Sequence, residues 1–181
     1  MSKIEEKKYK FDEKIVVLRN GHIDDAEELL EVIKKLDYET PFLLREPGEL
    51  TLTIEQEKMF LQSKLESEVN LFILAEVDGK IIGTCAVNGN ARRRLRHSAN
   101  LGIAILKDYC GKGIGRRFME TSIKWAKENG ISRITLQVDA NNFRAINLYL
   151  KLGFEIEGTL KKDKLLSDGT FIDSYTMALL L

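Results

Sequence analysis

The run from Ile105 to Phe118, Ile-Leu-Lys-Asp-Tyr-Cys-Gly-Lys-Gly-Ile-Gly-Arg-Arg-Phe, constrains this chain more than any other stretch. It leaves an apolar strand, Leu101 to Leu106, passes through Gly111, Gly113 and Gly115, and enters a helix. The first turn of a helix carries unpaired N–H groups and a partial positive charge, so an anion lodges there without a side-chain cation. Glycines let its oxygens approach. The spacing excludes two common phosphate sites, because Gly-Lys-Gly-Ile-Gly is neither the Gly-x-Gly-x-x-Gly of a dinucleotide fold nor the Gly-x-x-x-x-Gly-Lys-Ser/Thr of a P-loop.

The flanking chain predicts a mixed α/β fold. A strand over Ile15 to Leu18 is followed by a helix with Asp24 and Asp25 as N-cap candidates and Ala26, Leu29, Leu30, Ile33 and Leu36 at helical spacing. The connection from Thr40 to Leu52 holds both prolines, Pro41 and Pro47, and reads as a loop. Thr53 with Gln56 forms a capping-box pattern for a second helix, with Ile54, Phe60, Leu61 and Leu65 as its apolar stripe. Asp78-Gly79 supplies the positive φ angles of a tight turn between strands Leu71 to Val77 and Lys80 to Val87. Beyond the glycine loop, Ile114, Phe118, Ser122, Trp125 and Ala126 line one helix face, and Asn129-Gly130 closes it. A strand over Arg133 to Asp139, a helix capped by Asn141 or Asn142 and ending at Gly153, and a hairpin turning at Asp168-Gly169 complete the count. The total is about seven strands and about four helices, in a mixed sheet with helices on both faces.

A second stretch adds to the first. Asn142-Phe-Arg-Ala-Ile-Asn-Leu-Tyr149-Leu-Lys-Leu-Gly153-Phe154 resembles the Asn-x-x-Ala-x-x-x-Tyr-x-x-x-Gly-Phe segment of the GNAT acetyltransferases. The glycine loop is similar to the acetyl-CoA pyrophosphate loop of the same family, Gln/Arg-x-x-Gly-x-Gly/Ala, in the register Cys110, Gly111, Lys112, Gly113, Ile114, Gly115. Cys110 stands where the family usually has Arg or Gln. The resemblance covers Leu71 to Gly158, and the first seventy residues follow it by element order only.

That resemblance implies acetyl-CoA as acyl donor, with no metal. The N–H groups of Gly111 to Arg116 would hold its pyrophosphate. The strand before the loop would splay from the next parallel strand, so that main-chain groups of Ile103, Ala104 and Ile105 bind the pantetheine arm and one N–H meets the thioester oxygen. Asn142 would cap its helix and touch the arm. Tyr149 would be the general acid for the departing thiolate. For the base, His97 is the first candidate, with Glu46, Glu49 and Glu76 as alternatives; His22 reads as structural. The function implied is direct transfer, in a ternary complex, to a primary amine: a polyamine, an amino acid or amine-bearing toxin, an aminoglycoside or a protein N-terminus. A non-catalytic acyl-CoA-binding module would keep the loop and need neither Tyr149 nor a base.

Composition bounds the rest. Lys plus Arg equals Asp plus Glu at 28 each, so even the cluster Arg92, Arg93, Arg94 and Arg96 does not make a nucleic-acid binder. The two cysteines, Cys85 and Cys110, build neither a disulfide framework nor a metal site, although Cys110 at a helix start is also a candidate nucleophile. No apolar run is long enough to span a membrane, and Met1 to Lys14 has no secretory h-region, so the chain reads as cytoplasmic. Residues 1–11 read as a partly ordered tail before a single domain over 12–181. Met177 to Leu181 reads as a buried strand or a homodimer edge.

Overall fold

The Asp78-Gly79 turn forms as its chemistry requires, with φ of 52° and 72°. It joins strands β3 (Asn70–Val77) and β4 (Lys80–Asn88) of an eight-stranded sheet. The computed structural model describes residues 3–11 and 13–181. In chain order the remaining elements are β1 (Lys7–Phe11), β2 (Lys14–Asn20), helices α1 (Ala26–Glu39) and α2 (Ile54–Glu66), and β5 (Ser98–Ile105). These are followed by α3 (Ile114–Glu128), β6 (Arg133–Asp139), α4 (Phe143–Lys151), β7 (Glu155–Leu165) and β8 (Phe171–Leu180). The strands lie in the order β1-β2-β3-β4-β5-β6-β8-β7, and among the described residues only β5 and β6 run parallel.

Two expectations are corrected here. Lys7–Phe11, assigned to a tail, is an edge strand paired antiparallel with β2 from Lys7↔Leu18 to Phe11↔Lys14. It raises the strand count from about seven to eight. Asp25 takes the N-cap position of α1, but its side chain makes no cap bond there; its carboxylate accepts from the His22 N–H and is gripped by Arg19, and a short 3-10 turn, Ile23–Asp25, leads into the helix. The Thr53–Gln56 capping box of α2 is present in both directions.

Side-chain alternation along the strands sorts the helices between the two faces. Phe72 packs edge-on against Phe60 of α2, ring centroids 5.3 Å apart. Its neighbour Ile73 points the other way, in register with Cys85 and Ile103 on the face that receives α3. Buried Leu29, Leu61 and Leu71 and buried Ile73, Phe118 and Phe154 belong to the continuous core built on the sheet.

What positions the site is a failure of pairing. β5 and β6 are in register only over Ser98↔Arg133, Ala99↔Ile134 and Asn100↔Thr135. Beyond Asn100, β5 stays with β4 as far as Gly83↔Ile105, while β6 stays with β8 as far as Asp139↔Ser174. Each strand follows its outer neighbour, so the two part company towards their C-terminal ends.

Candidate active site

The main-chain groups facing this gap follow from two hydrogen bonds. The Leu106 N–H donates to the Ile82 carbonyl of β4 at 2.9 Å, and the His97 carbonyl accepts from the Arg133 N–H on the β6 side at 3.1 Å. Alternation then turns the even residues of β5 towards β4 and the odd ones towards β6. Ile103 and Ile105 therefore present their N–H and C=O groups to the gap. Ala104, expected with them, spends its groups on β4.

A short 3-10 turn, Lys107–Tyr109, carries the chain from β5 into the glycine loop. Gly111 and Gly113 hold φ of 80° and 82°, left-handed values that a side chain would strain, and the space beside each is open. Gly113 is the N-cap of α3, has no side chain to cap with, and is followed by no acidic residue in the first turn. The first helical bond runs from the Arg117 N–H to the Gly113 carbonyl, which leaves the N–H groups of Ile114, Gly115 and Arg116 without helical partners. Gly115 serves packing instead: a Cβ there would meet Leu148 of α4 at 3.2 Å and lie over Ile105 and Ile103.

Cations flank the loop and are held from the N-terminal strand. Lys112 stands over the Phe11 ring and Arg117 over the Tyr9 ring, while Lys7 donates to the Thr121 hydroxyl. The Cys110 thiol donates to the Ile105 carbonyl at 3.5 Å, occupying one polar group at the edge of the gap.

Asn142 caps α4 through its side chain, which accepts from the Ala145 N–H at 3.2 Å. About two turns later, Tyr149 is buried against Phe154, centroids 5.8 Å apart. Burial, with a smaller contribution from Cys85, pushes its phenol above its ordinary value, so it stays protonated at neutral pH. The hydroxyl makes no hydrogen bond to a described residue, yet it is not among the polar atoms sealed off without a partner. Cys85 sits beside it on β4, 3.3 Å from the Ser122 hydroxyl, with burial pushing its thiol up to about 12.

The base candidates fare differently. His97 is exposed and precedes β5, at the end opposite the gap; at about 3.3 Å per residue it lies roughly 20–27 Å from Ile103 and Ile105. The exposed arginines Arg92 to Arg96 share that end. Glu76 is ion-paired with Arg19 at 2.9 Å. Glu46 accepts from the Ser167 N–H and Glu49 from the Glu46 N–H, so both serve to shape loops.

Those loops reveal residues that sequence reasoning missed. Glu39, in the last turn of α1, accepts from the Lys107 N–H at 2.8 Å, where β5 ends. Lys164 of β7 pairs with Asp139, where β6 ends, and also reaches the Phe42 carbonyl. The segment from α1 to α2 is thus tied directly to the end of β5 and, through Lys164, to the end of β6. Nearby, Arg45 binds buried Asp37 through two nitrogens, and Glu57 is buried on α2.

Comparison with known proteins agrees with this architecture. A model described as the Acetyltransferase (GNAT) family matches residues 31–154. The L-amino acid N-acetyltransferase AaaT of Escherichia coli (strain K12) is 34% identical over 110 residues, 59% of this chain and 65% of that protein, so the match spans just under two thirds of the relative. The crystal structure of an acetyltransferase of the GNAT family from Streptococcus pneumoniae superposes with a TM-score of 0.88 at 34% identity, covering 92% of this chain and 99% of that one. At 17% identity, yncA of Salmonella typhimurium, solved with its cofactor acetyl-CoA, shares the fold with a TM-score of 0.79, covering 92% of this chain and 94% of its own. The parted parallel strands and the uncapped helix beside them are thus set in a chain that belongs to the acetyltransferase (GNAT) family, whose chemistry is acyl transfer.

Proposed function

We propose that this protein transfers the acetyl group of acetyl-CoA to a primary amine, on a small molecule or a protein N-terminus, directly within a ternary complex. The observation that carries the reading is the parting of β5 from β6 beside the uncapped N-terminus of α3. The open N–H groups of Gly111 to Arg116 suit a pyrophosphate, and the gap-facing groups of Ile103 and Ile105 suit the amides of a pantetheine arm laid alongside β5 like a missing strand. One of those two N–H groups is the donor for the thioester oxygen as it gains charge, a role worth about 3 kcal/mol where single donors have been removed.

Tyr149 is assigned to proton delivery, since burial keeps its phenol protonated and its hydroxyl makes no hydrogen bond to a described residue. Transfer without an acyl-enzyme is favoured because the Cys85 thiol, at about 12, is inert, and the Cys110 thiol is turned onto the Ile105 carbonyl. The amine must lose a proton first, at a cost of roughly 4 kcal/mol at neutral pH. Asp139, buried where β6 ends beside the gap, is better placed to assist than His97. An amino acid is the first acceptor class to try, given the amino-acid N-acetyltransferase among the relatives.

The test is release of free CoA thiol from acetyl-CoA against amino acids, polyamines, aminoglycosides and short peptides. Thiol release that depends on an amine establishes the reaction. A folded protein that binds acetyl-CoA but turns over none of them points instead to an acyl-CoA-binding module.

A further inference from the structure

The connection from β4 to β5 is a knob of unmatched cations. Arg92, Arg93, Arg94 and Arg96 are exposed, and among the described residues none of their guanidinium groups has an ion pair or a hydrogen bond. Elsewhere arginines are matched: Arg19 with Asp25 and Glu76, Arg45 with Asp37, Arg116 and Arg117 with Glu120, and Arg133 with Glu157. Arg144, exposed on α4, is the other exception among the described residues. The sequence offers the turn no acid, for none occurs between Asp78 and Asp108. Nor does the fold bring one in. The His97 carbonyl meets the start of β6, where Glu157 is already held by Arg133. The Gly89 N–H meets the Val69 carbonyl, yet nearby Glu66 and Glu68 make no ion pair with the turn.

The turn is shaped by its own backbone. The Leu95 N–H donates to the Arg92 carbonyl and the Ser98 N–H to the Leu95 carbonyl, both at 2.9 Å, so two linked turns gather the four charges within five residues. The Arg92 N–H is fixed on Asn90 Oδ1 at 2.9 Å. Like charges held this close repel, and no internal contact offsets the repulsion. Leu95, in their midst, is 45% exposed. A fitting partner brings several anions and one apolar contact. Carboxylates suit, because a guanidinium takes them through two parallel N–H bonds and is itself weakly hydrated. Nucleic acid suits less well: the turn has no aromatic ring to stack on a base, and the charges of the whole chain balance at 28 and 28. The phosphates of a bound CoA are not the anions either, since the glycine loop follows the other end of β5.

We infer that the turn from Arg92 to Arg96 is a docking site for an acidic segment of a partner polypeptide, whose carboxylates meet the guanidinium groups while one apolar side chain covers Leu95. The site is separate from the gap between β5 and β6 and does not depend on the acetyltransferase reading. Each exposed ion pair contributes little alone, so the affinity comes from several together and falls as salt screens them.

The experiment is fluorescence anisotropy of the full chain with a labelled peptide of repeated Glu-Glu-Leu. Gln-Gln-Leu and Glu-Glu-Ser peptides and a mixed-sequence RNA oligonucleotide serve as the other probes. The proteins are the wild type, the double variants Arg93→Gln with Arg94→Gln and Arg93→Lys with Arg94→Lys, and Leu95→Ser, each with a thermal melt and a CoA titration. The wild type is expected to bind Glu-Glu-Leu more tightly than any other probe, and less tightly as salt is added. The glutamine variant should lose affinity by about tenfold, the combined effect of two exposed ion pairs, and the lysine variant by less. Leu95→Ser should weaken binding of Glu-Glu-Leu and leave that of Glu-Glu-Ser as it was. Melting temperature and CoA affinity should hold throughout. No binding of Glu-Glu-Leu by the wild type, equal binding by the glutamine variant, or tighter binding of RNA than of peptide overturns the inference. So does a wild-type dimer that the glutamine variant dissociates, because the occupant is then a second copy of this chain.

Discussion

The ammonium nitrogen of Lys112 stands 4.8 Å from the centroid of the Phe11 ring. An exposed lysine in a glycine loop would otherwise sample many rotamers; the aromatic face of β1 holds this one beside the open N–H groups at the start of α3. An exposed cation–π contact is worth about 0.5–1 kcal/mol, or roughly two- to fivefold in binding. Phe11→Ala is therefore expected to weaken acetyl-CoA binding by about that factor in a calorimetric titration, with Phe11→Trp restoring it. An unchanged dissociation constant would reduce β1 to an edge cover.

The glycines of the loop differ in what they tolerate. Gly113 has φ of 82° with open space beside it, so an alanine meets backbone strain and no clash. Gly115 is helical, and an alanine there meets the flexible end of Leu148 at 3.2 Å. Gly113→Ala is expected to cost about 1–2 kcal/mol in a urea titration and to weaken donor binding, since it also reshapes the helix start. Gly115→Ala is expected to cost less in stability, because Leu148 can shift.

Tyr149→Phe isolates the phenol. The ring keeps its contact with Phe154, and no hydrogen bond to a described residue is lost, so the melting temperature should hold. General acids contribute about 10²–10⁴ in rate, and a thiol with a reference pKa of about 8.5 is already a fair leaving group, so the expected fall in kcat is near the lower end, about 10². An unaltered kcat in a folded variant would show that the thiolate leaves unaided.

How far the sequence foretold this molecule depends on the range of the interactions. Asp78-Gly79, the Thr53–Gln56 box, Asn142 and the glycine loop are local, and each forms where its residues predict. β1 escaped notice because Lys-Lys-Tyr-Lys-Phe carries no apolar run; its order comes from pairing with β2 and from contacts with Arg117 and Thr121 of α3, more than a hundred residues away. His97 adjoins β5 in sequence, yet it lies at the end of that strand away from the gap. Glu57 was hidden by the helix pattern: Phe60 suggested the inner face of α2, whereas the buried residues are Glu57 and Leu61, one turn apart. A covered acid depends on a loop arginine, and no periodicity announces such a partner.

Acid should reveal a second ionic device, on β2. Burial alone would raise the Asp25 carboxyl; the hydrogen bonds from Arg19, the His22 N–H and the guanidinium charge outweigh it and hold the group below its ordinary 3.8. Because the folded value is depressed, the stabilisation is complete above the unfolded value and drains away as pH falls through the folded one. Asp25→Asn should therefore cost about 1–2 kcal/mol at pH 7, a deficit that shrinks below about pH 3.8 in urea titrations. A deficit independent of pH would assign the loss to the His22 contact.

The alternation along β5 gives the sharpest test of the donor site. An α-hydroxy analogue of isoleucine at 103 or 105 replaces an N–H facing the gap with an ester oxygen, removing a donor that no strand uses. The corresponding change at Ala104 removes an N–H directed at β4. At whichever of 103 and 105 meets the thioester oxygen, kcat should fall by about 10²–10³, the cost of losing one oxyanion donor, with little loss of stability. At 104 the order reverses: stability should fall by about 1 kcal/mol as a ladder bond is lost, and kcat per folded molecule should hold. If all three esters behave alike, the parting of β5 from β6 is a feature of the fold and not the seat of the chemistry.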